Sequence, residues 1–255
     1  MATAMRHLLE AEATAPTACT TIEEVGSTGV GALTIAFLIL AVSTIVFITR
    51  IGSATTQKVY YYCNVFICGV ATMSYFAMLS GQGWTAIAGC RQFFYARYVD
   101  WAITTPLLLL DLGLIAGADP ALIAAVIGAD VIMVFSGYLG AVSVVTTVKW
   151  FWFVIGMGVF VPVLYVLAVN FREAAVAKGG EVADIYGKVA WLTIITWIFY
   201  PLVWLFSEGF ASFSVSFEVC AYAVLDITAK AIFGFMIMSA HEQLGAPGGE
   251  AREYV

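Results

Sequence analysis

Apolar residues gather in seven runs, at about 28–50, 58–80, 94–116, 121–143, 150–170, 187–207 and 218–240. Each is close to the ~20 residues that a helix needs to cross a hydrocarbon core. Breaks rich in Gly, Ser, Thr or charge separate them: Gly52 to Gln57, Gly81 to Arg91, Gly117 to Pro120, Ser143 to Lys149, Arg172 to Asp184, and Glu208 to Ser216. Backbone groups in lipid must bond within their own segment or within a closed barrel. The runs are too long and too continuous for barrel strands, so the pattern predicts an all-α, seven-transmembrane-helix bundle.

Composition agrees. The chain is 62% hydrophobic and only 11% charged, with a mean hydropathy of +0.95, far above the roughly 45–50% apolar share of soluble domains. Residues 1–26 are polar and acidic and lack the apolar core and cleavage site of a signal peptide, so the first helix is expected to insert as its own anchor. The expected organisation is an extracellular N-terminal segment at 1–26, a seven-helix domain at 27–241 and a disordered cytoplasmic tail at 242–255. With the N-terminus outside, Arg50, Lys58, Arg172, Lys178, Lys188 and Arg252 fall on the inner side, against Arg6, Arg91 and Lys149 on the outer. That excess favours an external N-terminus and a cytoplasmic C-terminus. The net charge of −6 lies mostly in the terminal segments, and no basic patch suggests nucleic acid. The five cysteines show no metal-ligand or CxxC spacing. Cys19 and Cys90 both fall outside and can either pair or stay free.

Two basic residues remain within the spans, Arg97 and Lys230. A charged ammonium at bilayer depth costs roughly 2.5 kcal/mol or more, and such a residue marks function by default. Lysine, unlike arginine, can lose its proton when desolvated and form a Schiff base with a carbonyl compound. On the third span Arg97, Asp100, Thr104 and Asp111 are separated by three, four and seven residues and share one face. At 1.5 Å per residue, Asp100 and Asp111 stand about 16 Å apart along the axis. On the seventh span Asp226 and Lys230 are spaced i,i+4, so they also share a face. Asp100 and Asp226 can flank the amine from the outer side while Asp111 faces it from the inner side. A structural ion pair explains one such couple. One arginine, one lysine and three aspartates in order across a membrane read better as a proton or ion path.

Aromatic residues surround this line. Trp197, Tyr200 and Trp204 share a face of the sixth span, Tyr98 and Trp101 lie on the third, and Tyr75 on the second. An aromatic stripe alone is usually packing. Facing a buried lysine, it suits a flat conjugated ligand with a polar anchor at one end. Pro201 removes a backbone donor in mid-helix and is expected to kink it.

Three stretches carry a resemblance to a known family. They are Arg97-Tyr98-Val99-Asp100-Trp101-Ala102-Ile103-Thr104-Thr105-Pro106 continuing to Asp111, then Trp197-x-x-Tyr200-Pro201-x-x-Trp204, and Leu225-Asp226-x-x-Ala229-Lys230. The chain resembles the microbial (type 1) rhodopsins over about residues 28–240, closest in kind to bacteriorhodopsin-like light-driven proton pumps and leaning to the fungal and algal members. The resemblance implies a pump and not an enzyme, carrying all-trans retinal on Lys230 as a protonated Schiff base. Asp100 would be the primary counterion and proton acceptor, Asp226 the second counterion, and Asp111 the internal donor. Arg97 would couple the counterions to an external release pair at Glu208 and Glu218, whose plain alternative is two solvated loop-end carboxylates. Tyr75 and Thr104 would hydrogen-bond near the counterions, with Thr104 also counted among the chromophore's surroundings. Tyr98, Trp101, Thr105, Leu108, Met133, Gly137, Trp197, Tyr200 and Trp204 would line the pocket, and on the fifth span both Trp152 and Phe153 are candidates. Asp130 falls at a structural carboxyl of the family.

The chain also departs from the family pattern. Asn64 faces Asp111 where bacteriorhodopsin carries threonine, and no histidine lies within a span. The implied partners are retinal, protons and the lipid bilayer, with a homo-oligomer possible, and the implied location is multi-pass in the plasma membrane. A sensory photoreceptor and a light-gated cation channel of the same fold are the alternatives. Asp111 argues against the first, and the apolar Leu107–Leu110 wall with Arg97 against the second.

Overall fold

The computed structural model describes residues 19–52 and 58–244. Seven helices are long and apolar enough to cross a membrane: α1 (Ser27–Ile51), α2 (Lys58–Leu79), α3 (Ala96–Ala116), α4 (Pro120–Val142), α5 (Thr146–Lys178), α6 (Gly180–Gly209) and α7 (Val215–Ala240). Each packs on the next and α7 returns to α1, which closes a ring, while α3 also touches α5 and α6. The chain is a multi-pass membrane protein. Its side chains are sorted as lipid demands: Ile35, Val42 and Ile45 of α1 and Phe151, Val154 and Val161 of α5 face outward, whereas Arg97, Asp100, Asp111, Asp226 and Lys230 are buried.

Local chemistry sets several helix ends. Asp119 caps α4, its carboxylate accepting the N–H groups of Ala121 and Leu122, with Pro120 in the first turn. Gly117 ends α3 in the left-handed conformation (φ 63°), which lets its N–H reach back to the carbonyls of Gly113 and Leu114. Ser214 caps α7 through Phe217 N–H.

Three expectations need correction. The break expected between Arg172 and Asp184 shrinks to Gly179, because α5 continues to Lys178 and α6 starts at Gly180. Hydropathy ends where apolar residues end, but the helical ladder does not, and Arg172, Glu173, Glu181 and Lys188 are good helix formers. The break between Gly81 and Arg91 is a folded hairpin, with β1 (Thr85–Ile87) pairing antiparallel with β2 (Arg91–Phe93). The N-terminal segment, read from the sequence as a separate polar and acidic stretch at 1–26, is built onto that hairpin over its described residues. Glu23 N–H donates to the Cys90 carbonyl at 2.8 Å, Gln92 N–H donates to the Glu23 carbonyl at 3.0 Å, and a disulfide joins Cys19 to Cys90. Residues 1–18 of that segment, part of the Gly52–Gln57 break and residues 245–255 of the tail lie outside the described residues.

Candidate functional site

Lys230 belongs to a π-helical turn, Ile227–Ile232, inserted in α7. Such single turns widen the backbone spacing locally and recur at functional sites. The side chain is 1% exposed, and its Nζ donates to Asp100 Oδ2 of α3 and, at 2.8 Å, to Asp226 Oδ1 of its own helix. A buried ammonium survives only with such partners. The two carboxylates are not equivalent. Asp226 also accepts from Tyr75 Oη at 2.7 Å, Tyr200 Oη at 2.9 Å and Trp101 Nε1 at 3.2 Å. Asp100 keeps Oδ1 without a protein partner.

A cavity of about 810 Å³, counting its mouth, ends at Lys230. Tyr98, Trp101, Thr105, Leu108, Met133, Gly137, Trp152, Phe153, Trp197, Tyr200 and Trp204 line it. Thr104, expected among the chromophore's surroundings, stands behind the wall instead, donating its hydroxyl to the Asp100 carbonyl at 2.9 Å. Thr105 reaches Asp130 at 2.5 Å, which ties α3 to α4, and Trp204 donates Nε1–H to the Gly137 carbonyl at 3.2 Å. Helical spacing missed Val134, Gly156, Met157, Phe160, Tyr222 and Ala229 of the lining. Pro201 also lines the cavity. The helix α6 runs on past it through Trp204 and then loosens into a π turn at Leu205–Gly209.

Toward the hairpin end the buried charges interlock. Arg97 lies over the Tyr222 ring, 4.3 Å from its centroid, and donates Nη1–H to Glu218 Oε1 at 2.9 Å. Glu218 Oε2 accepts from Arg91 at 2.8 Å. Glu208 is reached by Tyr98 Oη at 3.3 Å, and its backbone carbonyl accepts from Lys149 Nζ at 2.6 Å. Glu208 and Glu218 are 2% and 1% exposed, so they are not solvated loop-end groups. Arg91, counted from sequence as a loop charge, is 4% exposed and belongs to this cluster. Only its position in a non-periodic loop hid it.

Toward the opposite end Asp111 has two side-chain partners, Asn64 and the Cys63 thiol, both on α2. Asn64 of α2 donates to it at 2.7 Å and also donates to the Tyr60 carbonyl at 2.9 Å. Leu108, Leu109, Leu112, Ile67 and Phe233 are buried in one apolar cluster, together with Cys63 and Tyr60 of α2.

A seven-helix membrane bundle with a buried lysine at the end of an aromatic cavity defines a rhodopsin-type protein. Residues 29–244 match the model of the bacteriorhodopsin-like protein family, and the chain belongs to that retinal-binding family. It is 34% identical over 220 residues to archaerhodopsin-3 of Halorubrum sodomense, covering 84% of this chain and 85% of the relative. Among solved structures it is similar to a light-driven proton pump, LR (Mac), from Leptosphaeria maculans (TM-score 0.84, 35% identity, covering 88% of this chain and 100% of that one). It is also similar to a light-driven proton pump from Coccomyxa subellipsoidea (TM-score 0.83, 31% identity, 86% of this chain and 99% of that one).

Proposed function

We propose that the protein is a light-driven outward proton pump of the plasma membrane that carries all-trans retinal on Lys230 as a protonated Schiff base. The observation that carries this reading is the position of the Lys230 amine. It sits at the end of an aromatic cavity, between two buried carboxylates, with a third carboxyl sealed behind an apolar wall on the far side. The residues fit the cofactor: Trp101, Trp197, Tyr200 and Trp204 offer flat walls, and the amine is the polar anchor. When bound, retinal would supply light absorption and a double-bond isomerisation next to the Lys230 nitrogen.

The protein's own residues give that proton a direction. Asp226 has four donors on its two oxygens, whereas Asp100 has a free oxygen, so Asp100 has room to accept. Arg97, poised between the counterions and Glu218, passes the change in charge toward the Glu208–Glu218 pair. Asp111 returns a proton to the amine from the other side, through the Leu108–Leu112 wall, once the helices there part. The Lys/Arg count puts the hairpin end outside. The Cys19–Cys90 disulfide lies at that same end, where an oxidising medium preserves such bonds.

A cation channel would need a wetted path past Asp111, and the packing of Leu108, Leu109, Leu112 and Phe233 opposes one. Illumination of unbuffered cells containing the retinal-loaded protein tests the reading. External acidification that a protonophore collapses is expected. A passive current reversing with the proton gradient would indicate a channel, and a coloured protein that moves no protons would indicate a sensor.

A further inference from the structure

Arg91 lies on β2, outside all seven helices, yet it is buried and makes three contacts inward. It donates to Glu218 Oε2 at 2.8 Å, to the Phe213 carbonyl at 2.6 Å and to Glu23 Oε2 at 3.3 Å. Because Arg97 holds Oε1, each oxygen of Glu218 faces its own guanidinium. Glu208 has only the Tyr98 hydroxyl, and its Oε2 has no protein partner. Charge balance points the same way. The buried cations from Lys230 to the hairpin are Lys230, Arg97 and Arg91, against the carboxyls of Asp100, Asp226, Glu208 and Glu218, so three face four. At the edge, Glu23 and Lys149 add one of each sign. Among the described residues, Tyr98 and Tyr222 are the remaining titratable groups around the glutamates.

Glu23 links this cluster to the chain's N-terminal segment. Its side chain, 48% exposed, accepts Val215 N–H at the start of α7 through Oε1 while Oε2 meets Arg91. Its backbone pairs beside Arg91, and the Cys19–Cys90 disulfide fixes the segment next to that pairing.

Building on the pump reading above, we propose that Arg91 is a positioning residue for proton release. It holds Glu218 as the fixed anion, leaves Glu208 as the carboxyl that gives up the proton, and couples both to the disulfide-anchored N-terminal strap. At release the Glu208 O–H bond breaks, the carboxylate keeps the electron pair, and external water takes the proton.

The test follows flash-induced protons with a pH-sensitive dye in the full-length, retinal-loaded protein across a range of pH. The quantity read is the threshold pH above which release precedes uptake. Arg91→Gln removes a cation in contact with Glu218 and should move the threshold upward by about one unit or more. Arg91→Lys keeps the charge and should restore most of it. Glu23→Gln keeps an oxygen for Val215 N–H but leaves Arg91 wholly to Glu218, so the threshold should move downward by a few tenths, a small shift because Glu23 is half exposed. Opposite shifts in the two variants are a pattern that mere structural damage does not produce. An unmoved threshold in Arg91→Gln, with pumping intact, overturns the proposal alone. If that variant forms no pigment, Glu23→Gln decides: a downward shift supports the proposal, while none or an upward one overturns it. Outward pumping by the unaltered protein is read first in the same sample, and its absence sinks the pump reading and this proposal together.

Discussion

On the hairpin side of Lys230 the buried charges form successive groups: Lys230 with Asp100 and Asp226, then Arg97, Glu218 and Arg91, with Glu208 beside them on Tyr98. On the other side, Asp111 and Asn64 make one bond between them amid leucine, isoleucine and phenylalanine. In the first arrangement closely spaced buried charges let a change at the amine act through space on Arg97 and, through it, on Glu218. The second insulates, since a proton crosses the wall only if the packing opens. Direction in a pump needs both halves, one permanently connected and one gated. At 100 mV each outward proton requires about 2.3 kcal/mol, so a leak through the gated half would dissipate the work.

Lys230 is common to both halves, and removing it should have the largest effect. Lys230→Ala should abolish visible absorption in membranes given retinal, and with it every light response. A spectrum that keeps its visible band would remove the covalent anchor from the account.

Asp111→Asn separates the halves. It deletes the carboxyl of the insulated side and leaves the connected side whole. Return of the visible band after a flash should slow by about 100-fold, the usual scale for a lost acid–base group. Proton release at the hairpin end should keep its timing. A small weak acid such as azide should restore the rate, because it can carry protons through transient openings that need no fixed donor. A photocycle of normal speed would strip Asp111 of its role.

Arg97→Gln attacks the connected side. It leaves Glu218 buried with Arg91 alone and removes the cation lying over Tyr222. Breaking a buried pair of this kind costs about 3–5 kcal/mol, of which Arg91 should recover part. Thermal bleaching should therefore occur at lower temperature than in the unaltered pigment, and release should lag uptake. Equal thermal stability would mean that Arg91 alone satisfies Glu218.

How much of this was legible beforehand depends on whether a residue sits on a periodic element. Arg97, Asp100, Asp111, Asp226 and Lys230 are spaced to share helical faces; α3 and α7 bring Asp100 and Asp226 onto Lys230, while Arg97 and Asp111 are buried to either side. Tyr222 could have been found the same way, since it stands four residues before Asp226 on the same face (226 − 222 = 4). Arg91 could not. Its side chain turns inward because a hairpin pairs with an N-terminal segment, and no periodicity encodes that contact between residues 68 positions apart. The Cys19–Cys90 bond was open for the same reason. The π turns are also silent in sequence, because a helix with one wider turn keeps nearly the same apolar pattern.

The smallest expected effect tests whether the insulated half is tuned by shape as well as by its carboxyl. Gly234 stands four residues past Lys230, where a Cβ would lie 2.7 Å from Asn64 Oδ1 and 2.7 Å from Phe47 Cζ. Neither neighbour can yield freely. Asn64 is held by its bonds to Asp111 and the Tyr60 carbonyl, and the Phe47 ring packs on Phe235 at 4.9 Å. Gly234→Ala gains up to about 1 kcal/mol of helix propensity, but overpacking of this kind typically costs about 1–3 kcal/mol, so a net loss of up to about 2 kcal/mol is expected. Kinetics should report the strain as well. Pushing Asn64 away from Asp111 should slow recovery of the visible band several-fold, well short of the Asp111→Asn effect, with release at the hairpin end unchanged. Gly234→Ala combined with Asn64→Ala should be no slower than Asn64→Ala alone, because the displaced amide is then already gone. A full additional slowing in the double variant would show that Gly234 acts through Phe47 or the π turn, and that the shape of the gate does not depend on Asn64.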